Sequence, residues 1–352
     1  MNKFNLPHNK ISQSTKKEIF QNKMNLLVKE HSKNSKDYKK FLKKINYDFR
    51  NKKMELFPFL PVRIFKEIDL MSVKKNKIVR VLQSSGTSGS APSKIFLDKI
   101  NSKNQMIALN EIVKEIFDNN KRLPMLIFDK KPNKNDVINF NARLAAIHGF
   151  SLFGKEPLFL IDNEDNIKIR ELNEFLSTNK LQNFLMFGFT SLIFKHLIQS
   201  DIIKKLNKNF SNGILIHGGG WKKLENLKIS NYKFKKILKE NYDLDKVYNY
   251  YGLVEQTGSI FFECQKCSNF VTSKYSEILI RDKQFKVLDK NKKGLVQLLS
   301  LLPSSYPGHS ILTDDIGEIK VNKECECFNK GTQFVIHGRV IKSELRGCSD
   351  TI

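Results

Sequence analysis

Gly213-Ile-Leu-Ile-His-Gly-Gly-Gly-Trp-Lys222 runs a short apolar segment straight into three consecutive glycines. Ile214-Leu-Ile216 reads as a strand, and the glycines follow at its carboxyl end, where α/β sheets bind ligands. Three glycines let a flat ring lie against the backbone, whereas a plain strand-to-helix turn does not need three. His-Gly-Gly-Gly is also the oxyanion-hole motif of lipases and esterases. That chemistry requires a later Gly-x-Ser-x-Gly elbow, and the chain has none.

Outward from this stretch, strands and helices alternate. Strands are expected at Ile78–Leu82, Ile95–Leu97, Met125–Phe128, Leu158–Ile161 and Phe184–Phe187. Helices are expected at about Ser102–Phe117, Val137–His148, Ile169–Leu176 and Ile193–Ile203. Such alternation predicts an α/β fold with a doubly wound, mainly parallel sheet. The run Phe184–Phe189 can wall an acyl-chain tunnel, but core strand is the better reading. From Ser259 the helical patterns stop. Short strands at Ile260–Glu263, Tyr275–Ile280, Phe285–Leu288, Gly294–Leu299 and Phe334–Ile336 predict an antiparallel β subdomain. Toward the N-terminus, Ile19, Phe20, Met24, Leu26 and Leu27, then Phe41, Leu42 and Ile45, recur near helical spacing. The expected organisation is a basic helical segment over 1–56, an α/β nucleotide-binding core over 57–258, a β subdomain over 259–337, and a hinge and tail over 338–352.

The chain has 352 residues, 40% of them hydrophobic, and a net charge of +25. Residues 1–53 carry 14 Lys and one Arg against four acids. The excess lies on expected helices without a nucleic-acid-binding motif, so nucleic acid is set aside as a partner. A basic surface also suits nucleotide phosphates and acidic carrier proteins. No apolar stretch is long enough to span a bilayer, and no secretory signal is seen, which makes a cytoplasmic protein the expectation. Five cysteines, an odd number, argue against a disulfide framework.

Four further motifs carry chemistry. Ser84-Ser-Gly-Thr-Ser-Gly-Ser-Ala-Pro-Ser-Lys94 lies between two expected strands. Its Ser84, Ser85, Gly86, Thr87, Ser88 and Gly89 offer N–H and O–H groups to phosphate oxygens, and Lys94 adds a cation. Its glycine spacing is not that of a Walker A loop. Tyr248-Asn-Tyr-Tyr-Gly-Leu-Val-Glu-Gln256 can stack a base on Tyr251, turn at Gly252 and aim Glu255 at Mg2+. Leu312-Thr-Asp-Asp-Ile-Gly317 reads as an acidic turn before a strand, whose carboxylate can bind ribose hydroxyls. Gly338-Arg-Val-Ile-Lys-Ser-Glu-Leu-Arg-Gly-Cys-Ser-Asp350 follows near the C-terminus. Separately, Cys264-Gln-Lys-Cys267 and Cys325-Glu-Cys327 have the paired spacing of a closed structural Zn2+ site of four thiolates.

The order of these motifs resembles the adenylate-forming superfamily of acyl-CoA synthetases, luciferases and peptide-synthetase adenylation domains. The resemblance implies ATP and Mg2+ as cofactors. It assigns the triphosphate to Ser84–Gly89 with Lys94, and adenine and Mg2+ to Gly218, Gly219 and Gly220 with Tyr251 and Glu255. It assigns the ribose to Asp315, with Asp314 as the alternative register, and the hinge to Arg339. Phe57-Pro-Phe-Leu-Pro-Val-Arg-Ile-Phe-Lys66, Ser84–Gly89, His217–Trp221 and Arg346-Gly-Cys-Ser-Asp-Thr351 further resemble the LuxE-type acyl-protein synthetases, over essentially the whole chain. These are the fatty-acid-activating subunits of bacterial fatty acid reductase. The resemblance implies transfer of a fatty acyl group from AMP to a cysteine near the C-terminus, a place matched by Cys348, and an acyl-CoA reductase as partner. It is similar also to phenylacetate–CoA ligases, which have a comparable Cys-x-Cys before their Gly-Arg hinge. Only 13 residues follow Arg339, so the superfamily's C-terminal small domain is expected to be truncated. Lys222, Lys342, Arg346 or a partner would then replace its lysine. The alternatives are an acyl- or aryl-CoA or carrier-protein ligase, and a zinc-stabilised scaffold without catalysis.

Overall fold

The computed structural model describes residues 13–51, 53–84, 91–114, 116, 121–133, 141–205, 209–220, 226–227 and 229–340. The chain forms two compact units, one of Met1–Ile112 with Gly252–Ile352 and one of Val113–Tyr251. No helix among the described residues is long and apolar enough to cross a membrane.

In the first unit, β1 (Leu60–Pro61) runs parallel to β13 (Ser310–Lys320). β2 (Ile78–Gln83) and β3 (Lys94–Asp98) pair as a separate two-stranded antiparallel sheet. The remaining strands are β9 (Phe261–Glu263), β10 (Phe270–Val271), β11 (Ser276–Arg281), β12 (Gly294–Ser300) and β14 (Gln333–Arg339). They form an antiparallel sheet with β13, in the order β11-β12-β13-β14-β10-β9. The antiparallel β subdomain expected from Ser259 onward is therefore present. Helices Gln13–Asn34 and Lys36–Lys44 bury Phe20, Met24, Leu27, Val28, Tyr38 and Leu42. Leu26 and Ile45, expected on the buried stripe, are exposed: a helix stripe about 100° wide does not reach Leu26, and Ile45 is the C-cap beyond the second helix.

A buried polar cluster ties these helices to the rest of the unit. His31 Nε2 lies 3.1 Å from the Pro303 carbonyl and Nδ1 2.7 Å from Ser72 Oγ. A carbonyl only accepts, so Nε2 carries the proton and Nδ1 accepts from the Ser72 hydroxyl. The His309 ring stacks on His31 at 4.8 Å, and its Nε2 is 3.1 Å from the Tyr38 hydroxyl. Burial lowers the pKa of His31 to about 4 and that of His309 well below the usual imidazole value.

The second unit is the doubly wound part. β4 (Leu123–Lys130), β5 (Gly154–Ile161), β6 (Phe184–Phe189), β7 (Gly213–Gly218) and β8 (Lys246–Tyr251) are all parallel, in the order β5-β4-β6-β7-β8. β6 and β7 are buried at every position, as central strands covered on both faces must be. Phe184–Phe189 is thus core strand. The crossover helices are Ala142–Ser151, Ile169–Thr178 and Asn231–Tyr242. Asn141 and Ser230 cap the first and last of these by accepting from Leu144 N–H and Lys233 N–H.

Three expectations need correction. The helix expected at Ile193–Ile203 is broken: a turn at Thr190–Ile193 passes into a π-helix at Phe194–Gln199, and Ser200 turns extended before Asp201–Lys205. Ser200 Oγ accepts from Ile202 N–H, the local bond that competes with helix continuation. Phe285–Leu288 is no strand: Asp282 Oδ1 accepts from the N–H groups of Gln284 and Lys286, and Phe285 takes a φ of 63°. The acidic segment Leu312–Gly317 lies inside β13 and is no turn. Its aspartates are tolerated there because each carboxylate has an arginine partner.

Candidate functional site

The first unit gathers residues from four of the motifs. β2 and β3 hold the neck of the Ser/Gly loop, with Gln83 opposite Lys94. Ser84 N–H donates to the Ser93 carbonyl at 3.1 Å, and Ser93 N–H donates to Ser84 Oγ at 2.9 Å. Ser84 therefore closes the neck. Lys94 begins β3 with its ammonium 3.8 Å from Asp69, both groups about half exposed, a loose surface pair of little energetic weight. Ser85, Gly86, Thr87, Ser88 and Gly89 lie outside the described residues, as do Trp221, Lys222, Lys342, Arg346 and Cys348.

Glu255 sits in a single helical turn, Val254–Gln256, and is 6% exposed. The turn is fixed from below. The Tyr306 hydroxyl donates to the Glu255 carbonyl at 2.9 Å, and the Gln256 amide donates to the Leu298 and Gly308 carbonyls at 3.0 and 2.9 Å. Burial raises the pKa of the Glu255 carboxyl, opposed by the Ser93 hydroxyl and by the positive charges of Lys66 and Arg339. A bound dication would reverse that penalty. Gly252 approaches Ile260 and the Ser259 carbonyl closely, since a Cβ there would stand 3.2 Å from each.

The strand position of the two aspartates separates their partners. Asp315 is opposite Arg339 across β13 and β14, and its buried carboxylate accepts from Arg339 Nε at 3.3 Å. Asp314 accepts from Arg63 Nε at 3.0 Å. Adjacent strand residues point to opposite faces, so only one of the two can face the Arg339 side.

The four cysteines converge. Cys264 Sγ is 3.5 Å from Cys325 Sγ and Cys267 Sγ is 3.3 Å from Cys327 Sγ, with all four sulfurs within 4.8 Å of one another. All are free thiols. A tetrahedral ion with sulfur ligands at about 2.3 Å needs sulfur–sulfur edges of about 3.8 Å, so the set fits a metal. In the chain alone, burial raises the pKa of Cys267 to about 11 and drives that of Cys327 higher still. A dication overturns this by binding the thiolates.

The second unit carries the glycine turn. Gly218 ends β7 under the Tyr250 ring, where a Cβ would fall 2.4 Å from Tyr250 Cε1. Gly219 has a φ of +78°, and a Cβ there would meet the Phe189 ring at 3.2 Å. Glycine is thus required at both positions. His217 is buried, with Nδ1 3.0 Å from Thr190 Oγ1, and burial lowers its pKa to about 3. Tyr251 closes β8 half-buried. Two features escaped the sequence reading. Thr190, the polar residue immediately after β6, supports the turn. Asp129, at the carboxyl end of β4, is buried and paired with Arg143. In each case the available signal was a polar side chain directly ending an apolar strand.

The chain is similar to known ligases along nearly its whole length. A long-chain-fatty-acid–luciferin-component ligase of Vibrio harveyi is 24% identical over 331 residues, covering 91% of this chain and 83% of that protein. The protein of the same description from Aliivibrio fischeri is 24% identical over 302 residues, covering 83% and 76%. Among solved structures, an open conformation of 2-hydroxyisobutyryl-CoA ligase in complex with 2-HIB-AMP and CoA superposes with a TM-score of 0.74. It is 13% identical and covers 97% of this chain and 81% of that one. The same ligase in its thioesterification state gives 0.72 at 14% identity, covering 97% and 74%. These likenesses show the fold of an adenylate-forming ligase. The profile of the family described as acyl-protein synthetase, LuxE, matches residues 5–352, and the chain belongs to that family of ligases, which activate an acid with ATP as acyl-AMP and transfer the acyl group.

Proposed function

We propose that the acid is a long-chain fatty acid and that the acyl group passes to a thiol, Cys348 being the acceptor. The observation that carries the site assignment is the burial of Glu255 in a turn that Tyr306 and Gln256 fix and that packs against β3, the strand leaving the Ser/Gly loop. In this reading Ser84–Gly89 and Lys94 hold the triphosphate, and Gly218–Gly220 with Tyr251 hold the adenine. Glu255 holds Mg2+, which would neutralise phosphate charge. Asp315 binds the ribose, oriented by Arg339. Cys264, Cys267, Cys325 and Cys327 hold a Zn2+ that ties two loops together. Four thiolates leave no open position, so this ion takes no part in the reaction. The fatty acid is supported by the description of the Vibrio harveyi and Aliivibrio fischeri proteins as long-chain-fatty-acid–luciferin-component ligases; a reductase or carrier as downstream partner rests on the family resemblance.

The chemistry has two steps. A carboxylate oxygen of the substrate attacks the α-phosphorus in line, the bond from that phosphorus to the bridging oxygen breaks, and pyrophosphate leaves. A thiolate then attacks the acyl carbon, the bond from that carbon to the AMP oxygen breaks, and a thioester and AMP result. The test is ATP–pyrophosphate exchange with fatty acids, followed by trapping with labelled acid and ATP. The expected result is protein-bound label that neutral hydroxylamine releases and that Cys348→Ser lacks as a thioester, while the variant keeps exchange activity. Normal transfer by that variant to CoA or a carrier would replace the acyl-protein mechanism with a CoA-ligase one.

A further inference from the structure

We infer that Thr190 and His217 are positioning residues that set the glycine turn for the nucleotide; the inference rests on the assignment of Gly218–Gly220 to adenine. Thr190 Oγ1 donates to the Gly218 carbonyl at 3.1 Å and lies 3.0 Å from His217 Nδ1. A hydroxyl has one proton. Since the carbonyl can only accept, that proton is committed to Gly218, and the bond to His217 must run from Nδ1–H to the Thr190 oxygen. The imidazole is therefore neutral and protonated on Nδ1. Its burial agrees with this, and among the described residues its Nε2 has no hydrogen-bond partner. The ring is held against Phe234, with centroids 4.8 Å apart.

The consequence falls on the next peptide. A trans peptide is planar, with its C=O and N–H pointing in opposite directions. Drawing the Gly218 carbonyl inward to Thr190 turns the Gly219 N–H outward, and Gly219 is exposed. Gly219 adopts a φ of +78°, which only glycine takes without strain. Left to itself, the turn has many other conformations open to it. The chain His217 Nδ1–H to Thr190 to Gly218 selects one of them, so that an N–H donor faces the ligand before it arrives. The ordering cost is then met in folding and not on binding.

Neither side chain needs to touch substrate for this role, and the test separates positioning from mere support. Thr190→Val keeps the shape and removes the hydroxyl; Thr190→Ser keeps the hydroxyl. His217→Phe removes the Nδ1 donor, whereas His217→Asn places an amide N–H near the Nδ1 position. In ATP–pyrophosphate exchange, T190V and H217F are each expected to raise the KM for ATP about fivefold, the worth of one hydrogen bond. The KM for the acid should be unchanged. T190S and H217N are expected to restore the ATP value, and the double variant T190V/H217F to cost no more than either single one. Nitrogen NMR of the ligand-free protein should find His217 protonated on Nδ1 only, from pH 7 down to pH 5. An unchanged ATP KM in well-folded T190V, or an Nε2–H tautomer, overturns the inference while leaving the ligase reading standing. A wild-type enzyme without exchange for any acid overturns the nucleotide assignment and this inference together.

Discussion

Acidification should loosen the N-terminal helices through His31. The ring is 1% exposed, makes both of its hydrogen bonds as a neutral imidazole, and stacks on a second buried histidine. Its pKa falls from 6.5 to about 4 on folding. The native state therefore binds fewer protons than the unfolded state between those values. Stability rises with pH across that window, so its contribution is complete above about pH 6.5 and is lost as the pH falls toward 4. A shift of that size corresponds to about 3 kcal/mol. His309 adds in the same direction, because burial and the neighbouring His31 both lower its pKa. The assay is urea unfolding at pH 7.0, 6.0, 5.0 and 4.5, with hydrogen exchange of residues 13–34 followed in parallel. Wild-type protein should lose stability progressively over this range, and the helix Gln13–Asn34 should lose protection first. His31→Phe should be less stable at pH 7, having lost the Ser72 and Pro303 bonds, but its pH slope should be shallower by about one proton. Equal slopes in the two proteins would refute the assignment of the effect to His31.

Elemental analysis of protein purified without added metal should find about one zinc per chain, and Cys325→Ser should lose both the zinc and several degrees of melting temperature; metal-free protein that melts unchanged would reject the site. Lys94→Ala and Thr87→Ala should each lower ATP–pyrophosphate exchange, since the proposed function assigns each to the triphosphate, and full exchange in both variants would remove the loop from the site. Gly218→Ala should cost about 1–3 kcal/mol in stability by overpacking, because its Cβ would enter the Tyr250 ring; it should also depress exchange, and a variant as stable and active as wild type would contradict the close approach.

Much of the fold was legible because its signals are local. β6 is apolar along its whole length and β7 centres on the apolar run Ile214–Ile216, and both are buried at every position as central strands are. The Cys-x-x-Cys and Cys-x-Cys pairs pointed to a cluster of four cysteines, and the fold brings their sulfurs within 4.8 Å of one another. What was not legible depends on partners distant in the chain. The 11-residue β13 carries Thr-Asp-Asp at its centre, a sequence with the composition of a turn. It becomes a strand because Arg339, 24 residues on, meets Asp315, and Arg63, 251 residues back, meets Asp314. Thr190 was missed for the same reason, since its partners His217 and Gly218 are 27 and 28 residues away.

That distance dependence also bears on which aspartate the proposed ribose contact would use. A turn would have left both carboxylates free to rotate, and either register would then serve. A strand allows only one. Asp314 is committed to Arg63 on one face, and its carbonyl accepts from Val340 N–H. Asp315 lies on the other face, its carboxylate buried and held by Arg339, which is itself 72% exposed and also acts on Glu255. Asp315 is a buried carboxylate oriented by an exposed arginine, and a bond from a sugar hydroxyl to it would lie in a shielded setting, where such a bond counts for more than in water. Asp315→Asn should therefore raise the KM for ATP by more than Asp314→Asn does. If the Asp314 variant were the more impaired, the ribose would belong on the Arg63 face of the strand.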